Sequence, residues 1–523
     1  MKAVADPQIK AATVLEPPIA LARAKAIRNI RRLIWLYLGL LIFEGTLRKW
    51  IVPQLSTPLL LVRDPTVLAI YILAIRARVL PQNRWIVSLE IIAAASWAAG
   101  ILVMLPYFSL QSVILVTGFG LRSNFLHLPL IFIIPAVFDL EDVKRIGWWT
   151  LIGMIPMALL MALQFAASPD SFLNVAAGGE GMQMQAGGRV RPPGFFSFIS
   201  GPIYYASAAA GFLLHAIMAK LPYKPWLLYG SGAALILALG VSGSRSAILS
   251  VLIVVASLAA ILLIRPSLVN RFGRHLLVGI VLLWAISHLP IFREGLSVLS
   301  DRFTEATEET SIIGGLINRM LESFTEAYQL LGWVSLGGRG LGVGTIGGAS
   351  FLTGEATFLL AENEWSRILL ESGPILGLAF IIWRTALTVK LGLFSIRQVS
   401  LSNTLPLFLF SAAFFLVLQG TFGQPTSLGF AVVLAGLCLA ARPQEARGSE
   451  KQESALLDLA ALPPRLAGVG RGSGADEPAR VRLVDLRLHH AQPGCHGHAE
   501  QDEDEDAPPV RAKHAEVVGQ LHG

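Results

Sequence analysis

Residues 246–264 read SAILSVLIVVASLAAILLI, nineteen positions without one charged side chain, bounded by Arg245 and Arg265. A hydrocarbon core about 30 Å thick takes about 20 apolar residues per helix, so this run predicts a membrane-crossing helix. The same character recurs on both sides of it. Hydrophobic residues make up 54% of the 523 positions and charged residues only 15%, and the mean hydropathy is +0.61, which excludes an ordinary globular domain. Apolar cores near 33–47, 65–76, 85–105, 120–138, 148–167, 197–218, 226–242, 246–264, 276–292, 366–388, 403–420 and 426–441 predict an all-α polytopic bundle of about twelve transmembrane helices. Glycine and proline inside such runs are tolerated in lipid.

Charge sets the expected orientation. The net charge of +7 needs no nucleic-acid partner, because membrane proteins gather Lys and Arg on cytoplasmic loops. Residues 1–32 carry Lys2, Lys10, Arg23, Lys25, Arg28, Arg31 and Arg32 with no small-residue cleavage site behind the first apolar run, predicting a cytoplasmic basic tail and an uncleaved helix. With that end inside, each connection expected inside is basic: Arg76, Arg78 and Arg84; Lys144 and Arg145; Lys220 and Lys224; Arg265, Arg271 and Arg274; Arg384, Lys390 and Arg397. Both termini are then cytoplasmic. The transmembrane domain runs over 33–442 with outer loops near 168–196 and 293–362. Both loops are too polar to span and too long for simple turns. Ile312 to Leu331 within the second has apolar residues at helical spacing, predicting an amphipathic surface helix.

Beyond residue 443 the composition turns Gly-, Pro-, Glu- and His-rich, and 443–523 reads as a disordered cytoplasmic tail. The run from His489 to His498 has metal-binding residue types without a packed setting, and Cys438 and Cys495 lie too far apart in type and place to suggest a disulfide framework. No metal site is expected.

Ionisable groups at membrane depth or at its outer edge are functional candidates by default. Arg191 precedes the sixth span, Arg245 lies between the seventh and eighth, and Arg122 is near the expected outer end of the fourth. A guanidinium presents a planar fork of donors suited to diphosphate oxygens. The plain alternative is that each snorkels to the headgroups. A second constellation, from Ala361 to Pro374, holds Glu362, Glu364 and Glu371. If a helix starts there, Glu362 shares a face with Trp365, Ser366 and Leu369 while Glu371 points the opposite way. A carboxylate at this edge can take a proton from an acceptor hydroxyl, whereas Glu364 has only a helix-dipole rationale. Gly337 to Gly344 lacks the Lys-Ser/Thr of a phosphate loop and reads as a flexible loop near the site.

Three segments, in order, resemble the O-antigen ligase and polysaccharide polymerase superfamily. Gly188-Arg189-Val190-Arg191-Pro192-Pro193-Gly194-Phe195-Phe196 is similar to its arginine-glycine-aromatic entry to a span, and Gly243-Ser244-Arg245-Ser246-Ala247 to its Ser-Arg-Gly-Ala turn. Gly340-Leu341-Gly342-Val343-Gly344, followed by Glu362-Asn363-Glu364-Trp365 and Glu371-Ser372-Gly373, is similar to its glycine-rich loop and its His-Asn-Glu-aromatic stretch ending in Glu-x-Gly. Glu362 stands where the ligases carry a histidine taken to be the catalytic base.

The resemblance implies a bundle like that of the GT-C-like O-antigen ligases, placed in a bacterial inner membrane. It implies a glycosyltransferase that polymerises or ligates undecaprenyl-diphosphate-linked glycan (exopolysaccharide, capsule or O-antigen) at the periplasmic face, with no metal or nucleotide cofactor. By residue, it implies Glu362 as base, and Arg191, Arg245 and, by loop position, Arg319 as substrate-binding groups, with Arg122 a further candidate from its charge alone. The implied partners are the lipid-linked oligosaccharide donor, a glycan or lipid acceptor, membrane lipid and polysaccharide export machinery. Two other readings stay open: a multi-pass secondary transporter, and a non-catalytic protein of the same fold.

Overall fold

The computed structural model describes residues 17–179, 183–186, 188–266, 273–307, 324–353, 360–361 and 363–442. The run that opens the sequence argument is α10 (Arg245–Ile264), helical from end to end. Before it come α1 (Pro17–Thr46), the single turn α2 (Ser56–Leu59), α3 (Asp64–Arg76), α4 (Arg84–Met104), α5 (Leu110–Leu121), α6 (Leu130–Val137), α7 (Leu140–Ala166), α8 (Ser200–Met218) and α9 (Pro225–Val241). After it come α11 (Gly273–Ser287), α12 (Pro290–Thr307), α13 (Ile346–Thr353), α14 (Glu364–Ser400), α15 (Leu405–Gln419) and α16 (Pro425–Ala440). Among the described residues the only strands are β1 (Gln185–Ala186) and β2 (Arg189–Val190), paired antiparallel. The protein is an all-α bundle of the multi-pass membrane kind.

Burial supports that description from the outside in. On α14, Ile375, Ile382, Val389 and Ile396 recur every seven residues and are half or more exposed, while Phe380, Trp383, Leu387 and Leu391 on the other side are buried. A water-soluble helix inverts this pattern, so the outward stripe fits lipid. Among the described residues, six helical stretches are long and apolar enough to cross a membrane: Pro53–Arg76, Arg84–Met104, Leu110–Val137, Leu140–Ala166, Arg245–Ile264 and Glu364–Ser400. A seventh is added if Leu277–Ser287 and Pro290–Val298, bent by 88° to each other, form one broken span. Among the described residues the length test thus gives six or seven spans beside the expected twelve or so: α9, α15 and α16 have 17, 15 and 16 residues, about 22–26 Å of helix at 1.5 Å per residue.

Local chemistry shifts several expected boundaries. α1 starts at Pro17, so much of the basic segment expected as a tail is helix. Ser109 caps the next outward turn by accepting from the Ser112 amide, which starts the fourth span near residue 110 instead of 120. α5 and α6 then run through a π-helical turn at Arg122–Leu126. Arg122 thus lies midway along Leu110–Val137, not at its outer end. The end of that stretch is set by Asp139 and Asp142, whose reciprocal capping box opens α7.

The sharpest departure is in α14. Gly373 has φ +75° and ψ 173° inside it, a conformation that glycine adopts freely. In a straight helix Glu364 and Arg384 would be about 30 Å apart, yet Arg384 Nη1 lies 2.9 Å from Glu364 Oε1. The chain therefore doubles back at Gly373, laying Glu364–Ser372 along the helix that follows. Arg384 is consequently a buried helical residue and not part of an inside loop, because α14 continues to Ser400. A Cβ at Gly373 would fall 2.1 Å from the Leu336 carbonyl oxygen. Gly373→Ala should lose about 1–3 kcal/mol from a backbone region open essentially to glycine alone and about 1–3 kcal/mol from overpacking. A melting curve in detergent no lower than wild type would refute this.

The expected amphipathic helix at 312–331 falls mostly outside the described residues; 324–330 is helical. The tail 443–523, with its His-rich run, also lies outside them.

Candidate functional site

Arg191 is delivered by the β-hairpin. Its amide donates to the Met184 carbonyl (2.8 Å), and the neighbouring Arg189 is ion-paired to Glu294 of α12 (2.5 Å). The Pro192-Pro193-Gly194 run that follows is strapped down: Gln164 Oε1 accepts from the Gly194 amide at 2.8 Å, and Lys49 Nζ donates to the Gly194 carbonyl at 2.7 Å. Burial pushes the Lys49 ammonium, just past the end of α1, down to about 7. Arg245 arrives from the other side as the first residue of α10. The intervening turn brings the two close, since a Cβ on Gly243 would lie 3.8 Å from Arg191 Cγ.

These two arginines line one open cleft of about 720 Å³ between α8, α10 and α15, together with Asn363 and the turn joining α15 to α16. Its mouth is polar, with Arg191, Arg245, Asn363, Gln419, Thr421 and Gln424. Farther along the same helices apolar Ile203, Leu249, Ile253, Ala412 and Phe415 line it beside Tyr204, Ser250 and Ser411. Arg245 and Ile253 are about 12 Å apart along α10, so within about two helical turns the lining passes from a charged end to a mixture of apolar and hydroxyl-bearing side chains. The N-terminal amides of α10 add positive potential at the mouth, and among the described residues Ser244 makes no capping bond there. The arrangement suits a ligand with an anionic head and an apolar portion next to it.

The other candidates are distributed differently. Arg122 is away from the cleft lining: its Nε meets Asp64 Oδ2 at 2.5 Å and its Nη2 donates to the Leu60 carbonyl at 2.6 Å. His127 joins the same group through Asp64 Oδ1 (3.0 Å) and Tyr37 (2.9 Å), tying α1 and α3 to the π-helical turn. Arg319 and Glu362 lie outside the described residues. α14 begins at Glu364, so the helical face expected around Glu362 cannot be traced either. Its neighbour Asn363 lines the cleft and donates to Glu326 through Nδ2.

The structure also shows a cluster that the sequence reading passed over. Glu364, expected to serve only the helix dipole, is 2% exposed and accepts from Arg367 (2.9 and 3.0 Å), from Arg384 (2.9 Å) and from the Phe422 amide (3.2 Å). Glu371 lies 2.9 Å from Arg367 Nη1 and accepts from Asn124 (3.3 Å) and the Gly344 amide (3.0 Å). Positions 364, 367 and 371 share one helical face, which was the available signal; Arg384 arrives only through the reversal at Gly373. The glycine run is packed, not loose. Its Arg339 and Gly340 amides donate to the Leu370 and Glu371 carbonyls, and a Cβ on Gly342 would fall 2.2 Å from the Val116 carbonyl oxygen of α5.

Compared with models of known protein families the chain finds no match, and compared with curated proteins it finds none. The geometry of the cleft therefore carries the functional reading.

Proposed function

We propose that this protein is a membrane-embedded glycosyltransferase of the bacterial inner membrane, with both termini cytoplasmic, that polymerises or ligates undecaprenyl-diphosphate-linked glycan at the periplasmic face. The observation that carries the reading is the cleft in which Arg191 and Arg245 stand together on a lining that continues with Ile203, Leu249, Ile253, Ala412 and Phe415. A polyprenyl diphosphate offers a partner to both kinds of residue: anionic oxygens for guanidinium forks and a hydrocarbon chain for the apolar side chains. The resemblance of the segments around Arg191, Arg245 and Glu362 to O-antigen ligases and polysaccharide polymerases supports the same assignment, including twelve spans and a GT-C-like bundle.

In the proposed reaction an acceptor hydroxyl attacks the anomeric carbon, Glu362 removes its proton, and the bond to the diphosphate oxygen breaks with inversion. Arg191, Arg245 and Arg319 neutralise the departing undecaprenyl diphosphate. Arg122 is left out of this set because it does not line the cleft.

Arg245→Lys tests the assignment, because it keeps the charge and removes the bidentate fork. One preorganised donor to developing charge is worth about 10²–10³ in rate. Glycan transfer should fall toward that range at normal membrane abundance, whereas Arg339→Lys, on an exposed side chain of the glycine run, should be much milder. Full transfer by Arg245→Lys would return this arginine to headgroup snorkelling.

A further inference from the structure

We propose that Glu364, Arg367, Glu371 and Arg384 are positioning residues that hold the start of α14, and with it Asn363, against the wall of the cleft made by the turn between α15 and α16. The inference rests on the cleft being a transfer site.

The four side chains are at most 2% exposed and balance as two carboxylates against two guanidinium groups. Glu364 joins three parts of the chain: Arg367 on its own helical turn, Arg384 beyond the reversal, and the Phe422 amide in the turn. Arg384 completes the joint by donating to the carbonyls of Val417 (2.9 Å), Leu416 (3.2 Å) and Gly420 (2.9 Å), and its guanidinium carbon sits 3.8 Å from the centre of the Phe422 ring. Leu416, Gly420 and Thr421 line the cleft, as does Asn363. Both ends of the Glu364–Arg384 pair are thus anchored in the same wall. None of the four charged residues lines the cleft itself, so they act through that wall.

Stability alone does not account for the cluster. Well-packed apolar side chains of similar volume usually match or exceed a buried ion pair. Directional bonds from a planar fork supply something apolar packing does not, a fixed register between the start of α14 and the end of α15. Group transfer is sensitive to register, since a misplacement of about 1 Å can lower a rate by about 10²-fold.

The test uses two variants of the full chain, with farnesyl diphosphate as the binding probe and glycan transfer by membranes of a deletion strain as the rate. Glu364→Gln/Arg384→Gln removes one charge of each sign and leaves the cluster neutral; Arg384→Lys keeps the charge and loses the fork. Both should bind farnesyl diphosphate as wild type does, because Arg191 and Arg245 are untouched. Transfer should fall by about 10²-fold in the double variant and by less in Arg384→Lys. Wild-type transfer by either variant at wild-type abundance overturns the positioning role and leaves the transfer site standing. Failure of the wild-type protein to bind the probe sinks the transfer-site reading and this inference with it. If neither variant accumulates, the cluster serves folding and the proposal is overturned.

Discussion

Glu362→Gln should lower glycan assembly by about 10²–10⁴-fold, the range for removal of an acid–base group, with the protein still present at wild-type level. Glutamine keeps the size and hydrogen-bonding capacity of the side chain and removes only its ability to accept the proton. The motive is position: Asn363, the next residue, shares the cleft with Arg191 and Arg245. Glu362→His, which restores the residue of the ligases that the segment resembles, should retain part of the activity if basicity and reach are what count. Asp170→Asn, on an exposed side chain between α7 and the β-hairpin, is the control and should be silent. Wild-type assembly by Glu362→Gln would sink Glu362 as the base without touching the cleft. Glu326, which accepts from Asn363, would then be the carboxylate to change next.

How far the sequence led depends on the kind of signal each residue carries. α10 was legible because nineteen uncharged, mostly apolar residues in lipid have one stable backbone solution, a helix. Arg191 and Arg245 stood out because an arginine on the outer side runs against the charge bias of loops, and the structure places them in one cleft. Arg122 stood out by the same reasoning, but its partner Asp64 is 58 positions away, and no periodicity links them. The boundary of its span was misjudged because a single Ser109 cap outweighed the hydropathy profile.

The glycine run and the Gly373-Pro374 break show a second limit. Sequence marks both as places where regular structure can fail, but not which backbone will pass close by. Gly342 faces the Val116 carbonyl and Gly373 the Leu336 carbonyl, so Gly342, read as part of a flexible loop, is a site of close packing, as is Gly373. The reversal at Gly373 is a three-dimensional event with a sequence cue for its position and none for its direction. Arg384 therefore read as a loop cation, although it is fully buried against Glu364 and the end of α15.

That reversal changes what a second carboxylate variant should do. Glu364→Gln, a near-neutral change if the residue only faces the helix dipole, should instead be strongly destabilising. Arg367 retains Glu371 as an ionic partner, but Arg384 loses the carboxylate that balances it and keeps only the carbonyls of Leu416, Val417 and Gly420 and the Phe422 ring. The Phe422 amide loses a charged acceptor as well. Breaking a buried ion pair by removing one partner costs about 3–5 kcal/mol, because a charge is left buried and uncompensated. Folded protein in the membrane should drop accordingly, and the melting temperature in detergent should fall with it. Removing the orphaned charge, as in Glu364→Gln/Arg384→Gln, should recover much of that stability. If the single variant melts with wild type, the ion pair between Glu364 and Arg384 contributes nothing to the fold, and the doubling back of α14 must be held by packing alone.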